Sequence, residues 1–390
     1  MSGPRLCRAA PGETPCRKKN LLLTNMLFSF IAAAMAVMVP LYLLEKNVDI
    51  TYIGILLSLG PLSFMIVRIF LAGVADEVGT KLIGILYSIA SLLSILLYAV
   101  FPSAAGLAAG NLSEGVRNSG FWAISRTETF SVTDRNPGRT FAYFSGMRQL
   151  ADGAGRLAVG FLLAYLAFQG SFALFFCLSL LLFALIIMNE NKTGGHSFGR
   201  RSMRERIFKQ RPPTFWYAAA LQLFAWLAYN MLLSFLVPVY LISSLKMGYL
   251  ETGGMIALLS LAIAASTLLT MRWNFKKSTL TLLAIPMVPA LLVFPFVGTN
   301  VVPLLLIISV GIGCNAIIAE YVLVDQVFRS KDVSTDIGVL YVPNKICEFL
   351  FLSLGGLVIS RFGYAPLFFI LALSVALFVV LARKLLAQAS

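Results

Sequence analysis

Charged side chains are scarce in this chain. Asp, Glu, Lys and Arg make up 12% of its 390 residues, whereas hydrophobic residues make up 59% and the mean hydropathy is +0.86. Soluble domains carry roughly 25% charged residues, so the composition excludes a soluble globular protein. The natural unit of such a chain is a membrane span of about 20 apolar residues with its connection, and at that pitch the chain holds about twelve spans.

Residues that bind metals or form disulfides are also few. His196 is the single histidine and lies in a polar stretch, and the five cysteines form no C-x-x-C pair. We therefore expect no disulfide framework, no metal site and no cofactor. A membrane-embedded enzyme would need paired histidines, a serine–lysine dyad or a metal-binding set, so the sequence does not favour an enzyme. The cysteines are Cys7, Cys16, Cys177, Cys314 and Cys347.

Long apolar runs account for most of the chain and predict an all-α integral membrane protein. The sequence divides into a polar basic N-terminal tail, an N-terminal half, a basic linker and a C-terminal half, at residues 1–20, 21–188, 189–212 and 213–390. Twelve apolar runs fall within the two halves: 21–44, 51–73, 81–101, 103–126, 141–165, 168–188, 213–243, 250–271, 278–299, 300–325, 338–361 and 364–386.

Acidic residues are outnumbered by basic ones, 17 against 31, which gives a net charge of +14. The basic residues lie between apolar runs and not on one face of a domain, so we expect no nucleic-acid partner. On one side of the predicted membrane the connections carry only Lys46, Lys246 and Arg361. The rest of the connecting Lys and Arg, among them Arg126, fall on the other side. The positive-inside rule then predicts that both termini lie in the cytoplasm. We expect a multi-pass plasma-membrane protein that is monomeric in the lipid bilayer.

Two segments repeat at nearly the same separation along the chain. Val39-Pro40-Leu41-Tyr42-Leu43 in the first run recurs as Val237-Pro238-Val239-Tyr240-Leu241 in the seventh, and Arg148 in the fifth run matches Lys345 in the eleventh. This repeat predicts two parallel six-helix halves around a central cavity. The linker between them is interpreted as a solvated connector or, alternatively, as a site for lipid headgroups or a regulatory partner.

A short polar motif, Gly73-Val74-Ala75-Asp76-Glu77-Val78-Gly79-Thr80-Lys81, connects the second and third runs. With the six-plus-six pattern, it resembles the major facilitator superfamily, whose cytoplasmic turn reads glycine, then Asp-Arg-x-Gly-Arg-Arg/Lys. Asp76, Gly79 and Lys81 match this pattern, Gly73 lies one position late, and the usual basic residues are replaced at 77 and 80. The resemblance implies a secondary transporter that works by alternating access, with Gly73, Asp76, Gly79 and Lys81 in a cytoplasmic gate.

Several charged and polar residues fall inside the apolar runs, where they are costly and by default functional. We interpret them as the pathway of a substrate or coupling ion through a central cavity. The alternative is that ion pairs between the fourth and fifth spans, and between the tenth and eleventh, lock each half. The candidates are Glu114, Arg117, Arg148, Asp152, Arg156, Lys345 and Glu348, with Asn25 and Asn230 as uncharged polar groups.

These residues predict a partner that is a small polar or charged molecule or ion, with protons as a coupling ion. The deep cations slightly outnumber the deep anions, which favours an anionic or zwitterionic solute. Two other functions stay open at this point. One is efflux of amphipathic drugs, and the other is a transporter-like sensor or scaffold that moves no solute.

Overall fold

The structure, a computed structural model, describes residues 14–132, 137–188, 209–273, 277–327 and 333–389. Every regular element within these ranges is helical, as the apolar runs predict. Helices suit a membrane chain because they satisfy all backbone hydrogen bonds internally. His196 and most of the linker 189–212 lie outside the described residues.

The N-terminal half contains five helical elements. The backbone of α5 is non-helical at Ala167, with φ 52° and ψ −175°, which divides this element into two helical segments. The first helix begins before residue 21, where the apolar run starts. The bounds are α1 Thr14–Glu45, α2 Ile50–Val78, α3 Thr80–Val100, α4 Ala104–Ser131 and α5 Pro137–Met188.

The C-terminal half contains helices that are interrupted near prolines. A π-helical turn, Leu232–Leu236, precedes Pro238, which lacks the N–H of a regular helix. The predicted run 278–299 is broken at Ile285 and Pro286. The bounds are α6 Pro213–Met231, α7 Val237–Ser243, α8 Tyr249–Trp273, α9 Lys277–Ala284, α10 Met287–Val293, a 3₁₀ turn Phe294–Phe296, α11 Val302–Val327, α12 Val333–Phe362 and α13 Ala365–Ala389.

Ten helical segments in the described residues are long and apolar enough to cross a membrane. One of them, Tyr143–Met188, has 46 residues and includes the break at Ala167. The 28-residue helix α4 is not among the ten. It carries Asn111, Glu114, Arg117 and Asn118 along its middle. The structure therefore shows a multi-pass helical membrane protein.

The two halves pack against each other mainly through α2 with α12 and α5 with α8. Glycines lie where the helices approach most closely. A Cβ atom on Gly253 of α8 would lie 2.5 Å from the Cα of Gly160 in α5, and one on Gly54 of α2 would overlap the carbonyl oxygen of Leu352 in α12. Lipid tails give apolar helices no reason to associate, so close packing of small residues supplies much of the attraction.

The contact at Gly253 gives a stability prediction with a matched control. Gly253→Ala must push α8 away from α5, and overpacking of this kind costs about 1–3 kcal/mol. The neighbouring Gly254 has no atom within 4 Å of an added Cβ, so Gly254→Ala should leave stability unchanged or raise it by about 0.5–1 kcal/mol. Thermal unfolding of the two variants in the same lipid nanodiscs measures the difference. Equal melting temperatures would contradict the proposed close contact.

Candidate functional site

A cavity of about 90 Å³ lies between α1, α2, α4 and α12, and residues of both halves line it. The polar lining residues from α4 and α12 lie away from the ends of those helices, which places the cavity within the bundle of membrane-spanning helices. Apolar side chains of α1 and α2 complete its walls. The polar lining residues are Asn111, Glu114, Asn118, Lys345 and Glu348.

One wall of the cavity carries an ion pair within α4. Arg117 donates from Nη2 to Oε1 of Glu114 at 2.7 Å, and the hydroxyl of Tyr98 donates to the other carboxylate oxygen at 3.2 Å. Arg117 also donates to Oδ1 of Asn118 at 3.3 Å and is only 1% exposed. The spacing of three residues places both charges on one face of the helix. We call this pair the α4 pair.

The facing wall carries a second ion pair within α12, here called the α12 pair. Nζ of Lys345 donates to Oε2 of Glu348 at 2.6 Å, and Nδ2 of Asn230 in α6 donates to the same oxygen at 3.0 Å. The ammonium of Lys345 also lies 4.8 Å from the ring centre of Phe64 in α2. The cation of the C-terminal half is therefore in contact with an aromatic ring of the N-terminal half.

Charged residues in the middle of α5 contact the C-terminal half. The hydroxyl of Tyr229 in α6 donates to Oδ2 of Asp152 at 2.7 Å. Nη1 of Arg156 donates to Oγ of Ser260 in α8 at 2.8 Å. Arg148 lies nearer to the N-terminal end of α5 than Asp152 and Arg156 do. These contacts place Asp152 and Arg156 in the interface between the halves.

One ion pair joins the two halves. One of its members, Arg126, does not lie where the sequence analysis expects it. The sequence places Arg126 in a cytoplasmic connection, but it lies inside α4 and is 2% exposed. Its guanidinium donates to both carboxylate oxygens of Glu320 in α11, at 2.5 and 2.8 Å. Nη2 of Arg148 lies 4.0 Å from the same carboxylate. We call Arg126 and Glu320 the inter-half ion pair.

An aromatic side chain supports this inter-half ion pair. The ring centre of Trp122 lies 5.5 Å from the guanidinium of Arg126 and 5.0 Å from that of Arg148. Aromatic faces attract cations, and more strongly where water is excluded. The ring therefore helps hold two arginines beside a single carboxylate.

Three ion pairs in the spans are arranged differently from what the helix-locking alternative expects. That alternative expects links between the fourth and fifth spans and between the tenth and eleventh. These three pairs instead lie within one helix, at Glu114–Arg117 and Lys345–Glu348, or join the halves, at Arg126–Glu320. Pairs that join the halves are the ones that a relative movement of the halves must break.

Asn25 lies in a structural contact and not in the cavity wall. Its amide donates to the carbonyl of Leu21 at 2.8 Å, and its Oδ1 accepts a hydrogen bond from Oγ of Ser125 at 2.6 Å. The residue is 1% exposed. It therefore connects α1 to α4.

The turn of the predicted gate is a single residue. α2 ends at Val78 and α3 begins at Thr80, with Gly79 between them at φ 98° and ψ 175°. Only glycine adopts this conformation without strain. Gly73 is buried in α2 and Lys81 is exposed at the start of α3. The side chain of Asp76 lies outside the described residues.

The comparison with protein families agrees with this architecture. The family model of the Major Facilitator Superfamily matches residues 21–342. The chain belongs to this superfamily and is a membrane transporter. A search of curated proteins found no significant match. Among the residues that the structure describes, no group of three or more His, Cys, Asp or Glu could hold a metal ion.

Proposed function

We propose that this protein is a secondary active transporter that moves a small polar or charged solute by alternating access and couples this movement to protons. The observation that carries the proposal is the cavity within the helix bundle, whose facing walls each hold an ion pair from a different half. Charged groups inside membrane spans are costly, and a bundle that only had to be stable would pack more cheaply with small residues.

Twelve spans in two six-helix halves are consistent with the helices described. The break at Ala167 divides Tyr143–Met188 into two segments, each of sufficient length to cross the roughly 30 Å hydrocarbon core. α4 is also long enough, with 28 residues. When Tyr143–Met188 is counted as two spans and α4 is added, the ten apolar segments become the proposed twelve. The basic connections and both termini then lie in the cytoplasm.

Alternating access is supported by contacts at both ends of the interface between the halves. The inter-half ion pair lies near the ends of α4 and α11 that adjoin the basic connections, a side we call the basic face. Close glycine contacts at Gly54 and Gly160 lie toward the opposite face. The cavity lies between these two sets of contacts, so opening one set at a time would expose it to one side of the membrane.

The dimensions of the cavity favour a small solute over an amphipathic drug. Pockets for drug-sized ligands usually measure roughly 300–1,000 Å³, and this cavity measures about 90 Å³. An apolar ligand would also gain no interaction from the charged and amide groups of the lining while excluding water from them, which is unfavourable. We therefore place efflux of amphipathic compounds second.

Three carboxylates inside the spans are candidates for the proton. Glu114, Asp152 and Glu348 each accept hydrogen bonds from neighbouring side chains in this conformation. A carboxylate that loses its partners in a site of low dielectric binds a proton more tightly. Rearrangement of these pairs would thus couple proton binding to movement of the halves.

Amide variants test this coupling. Glu114→Gln, Asp152→Asn and Glu348→Gln each remove one titrating group at nearly constant volume. We expect at least one of them to lose acceleration of uptake by an imposed proton gradient while exchange without the gradient continues. Glu251→Gln, at an exposed position in the first turn of α8, serves as the control. Full dependence on the gradient in all three variants would exclude these carboxylates as the coupling site.

The overall proposal is tested with the purified chain in proteoliposomes. Solutes that raise the melting temperature are identified first, and their flux is then measured with and without a proton gradient. Transport predicts both stabilisation and flux. A ligand that stabilises the protein but never crosses the membrane would instead identify a transporter-like sensor.

A further inference from the structure

The two ion pairs in the cavity have a property that limits which solutes fit between them. The α4 pair and the α12 pair each consist of one acid and one base, 2.7 and 2.6 Å apart. Each wall therefore has no net charge, although each presents a strong dipole. Glu114, Lys345 and Glu348 all line the same cavity, so a solute there meets both members of the α12 pair and the carboxylate of the α4 pair, with Arg117 directly behind it.

A solute with a single charge is poorly matched to such a pair. An anion that binds Lys345 competes with Glu348 for the ammonium and leaves this carboxylate without its closest partner. A cation that binds Glu348 leaves Lys345 in the same condition. A buried charge that loses its partner is strongly unfavourable, so either ion gains one interaction and loses another.

A solute that carries both charges avoids this loss. Its anionic group can take the place of Glu348 beside Lys345, while its cationic group pairs with the carboxylate that has been released. One ion pair within the protein is thus exchanged for two between protein and solute, and no charge is left alone. The amide of Asn230, which already donates to Glu348 at 3.0 Å, would hold the carboxylate during the exchange.

The α4 side offers an additional donor. Nη1 of Arg117 is buried and has no hydrogen-bond partner among the described residues. The rest of its guanidinium is held by Glu114 and Asn118, which both line the cavity. Arg117 itself does not line the cavity. A buried donor without a partner is unfavourable, so a carboxylate or sulfonate that displaced Glu114 or Asn118 would gain a second guanidinium nitrogen to bind.

We propose that the transported solute is a small zwitterion, whose anionic and cationic groups are bound together by the α4 and α12 pairs. This inference rests on the proposed transport function and specifies its substrate class. An uncharged polar solute would leave both pairs intact and would use only the neighbouring amides, so it should bind more weakly.

A matched solute panel tests the substrate class with the full chain in proteoliposomes. Alanine, taurine and betaine represent zwitterions, ethanesulfonate represents the anion matched to taurine, tetramethylammonium represents the cation matched to betaine, and propionamide is uncharged. We expect zwitterions to raise the melting temperature and to be taken up at least about tenfold faster than the others, since only they form new ion pairs without leaving a buried charge of the protein unpaired.

Charge variants of the α12 pair provide a readout that a purely structural role would not change. Glu348→Gln leaves an extra cation in the cavity and should shift preference toward ethanesulfonate. Lys345→Gln leaves an extra anion and should shift preference toward tetramethylammonium. The double variant Lys345→Gln/Glu348→Gln is neutral again, and it should lose zwitterion transport without gaining either ion. It also shows whether a single variant fails only because an unpaired charge destabilises the fold.

The outcomes separate the two proposals. Uptake of the anion, the cation or the uncharged solute in preference to all three zwitterions would overturn the substrate class and leave transport intact. Absence of uptake for every class would contradict the transport function itself. Unchanged selectivity in both single variants would show that the α12 pair does not contact the solute.

Discussion

Replacement of Glu320 with glutamine is expected to slow transport strongly and to leave the cavity open toward the basic face. Glu320 is the only carboxylate that the structure shows in ion pairs with both Arg126 and Arg148. Without its charge, two buried guanidinium groups of the N-terminal half would lie side by side and lose the carboxylate that the C-terminal half supplies. Breaking a buried ion pair in this way costs about 3–5 kcal/mol, which corresponds to a shift of about 100-fold or more in the balance between closed and open forms.

Thiol labelling measures this shift directly. In a chain whose native cysteines have been replaced, Ala36→Cys introduces a single thiol in the cavity lining. A membrane-impermeant reagent added from the basic face should label this thiol at least about tenfold faster after Glu320→Gln, and uptake should fall by a similar factor. Arg126→Lys keeps the charge but loses the two-pronged contact, and we expect an intermediate effect.

Two results bear on the specificity of this effect. Glu251→Gln removes an acidic group at an exposed position of α8 and should change neither labelling nor uptake. Labelling and uptake of Glu320→Gln at the rates of the parent protein would show that the inter-half ion pair does not hold the basic face closed.

The inter-half ion pair could not be predicted from the sequence, whereas other ion pairs could. The α4 and α12 pairs can be predicted, because residues three apart on a helix necessarily share a face. Arg126 and Glu320 are separated by 194 residues, and each lies near the end of an apolar run. Nothing local distinguishes such residues from ordinary side chains that reach the membrane surface. Their partnership exists only once the two halves have been packed together.

The sequence predicts some of the helix breaks and not others, for a related reason. Gly79 forms a turn that requires a positive φ. The gate motif in the sequence indicates this turn. The π-helical turn at Leu232–Leu236 has no comparable signal, although Pro238 follows it. Pro40, at the matching position in the first half, lies within the continuous helix α1. A proline thus permits a local rearrangement, and packing decides whether it occurs.

The α4 pair allows stability and transport to be measured separately, which distinguishes a structural pair from a functional one. Glu114→Gln leaves Arg117 in a site where it is 1% exposed, and we expect the free energy of unfolding to fall by about 3–5 kcal/mol. The double variant Glu114→Gln/Arg117→Met removes both charges at similar volume. Because replacing both partners of a buried pair is often neutral or stabilising, its melting temperature should return close to that of the parent protein.

Transport should not return with stability in this double variant. If the α4 pair contacts the solute, uptake remains at least about tenfold below the parent rate in spite of the restored fold. Thermal unfolding and uptake measured on the same proteoliposome preparations test this. Full uptake by the stable double variant would show that the pair only holds α4 in place, and the solute would then be bound by the α12 pair and the amides of Asn111 and Asn118, which line the same cavity.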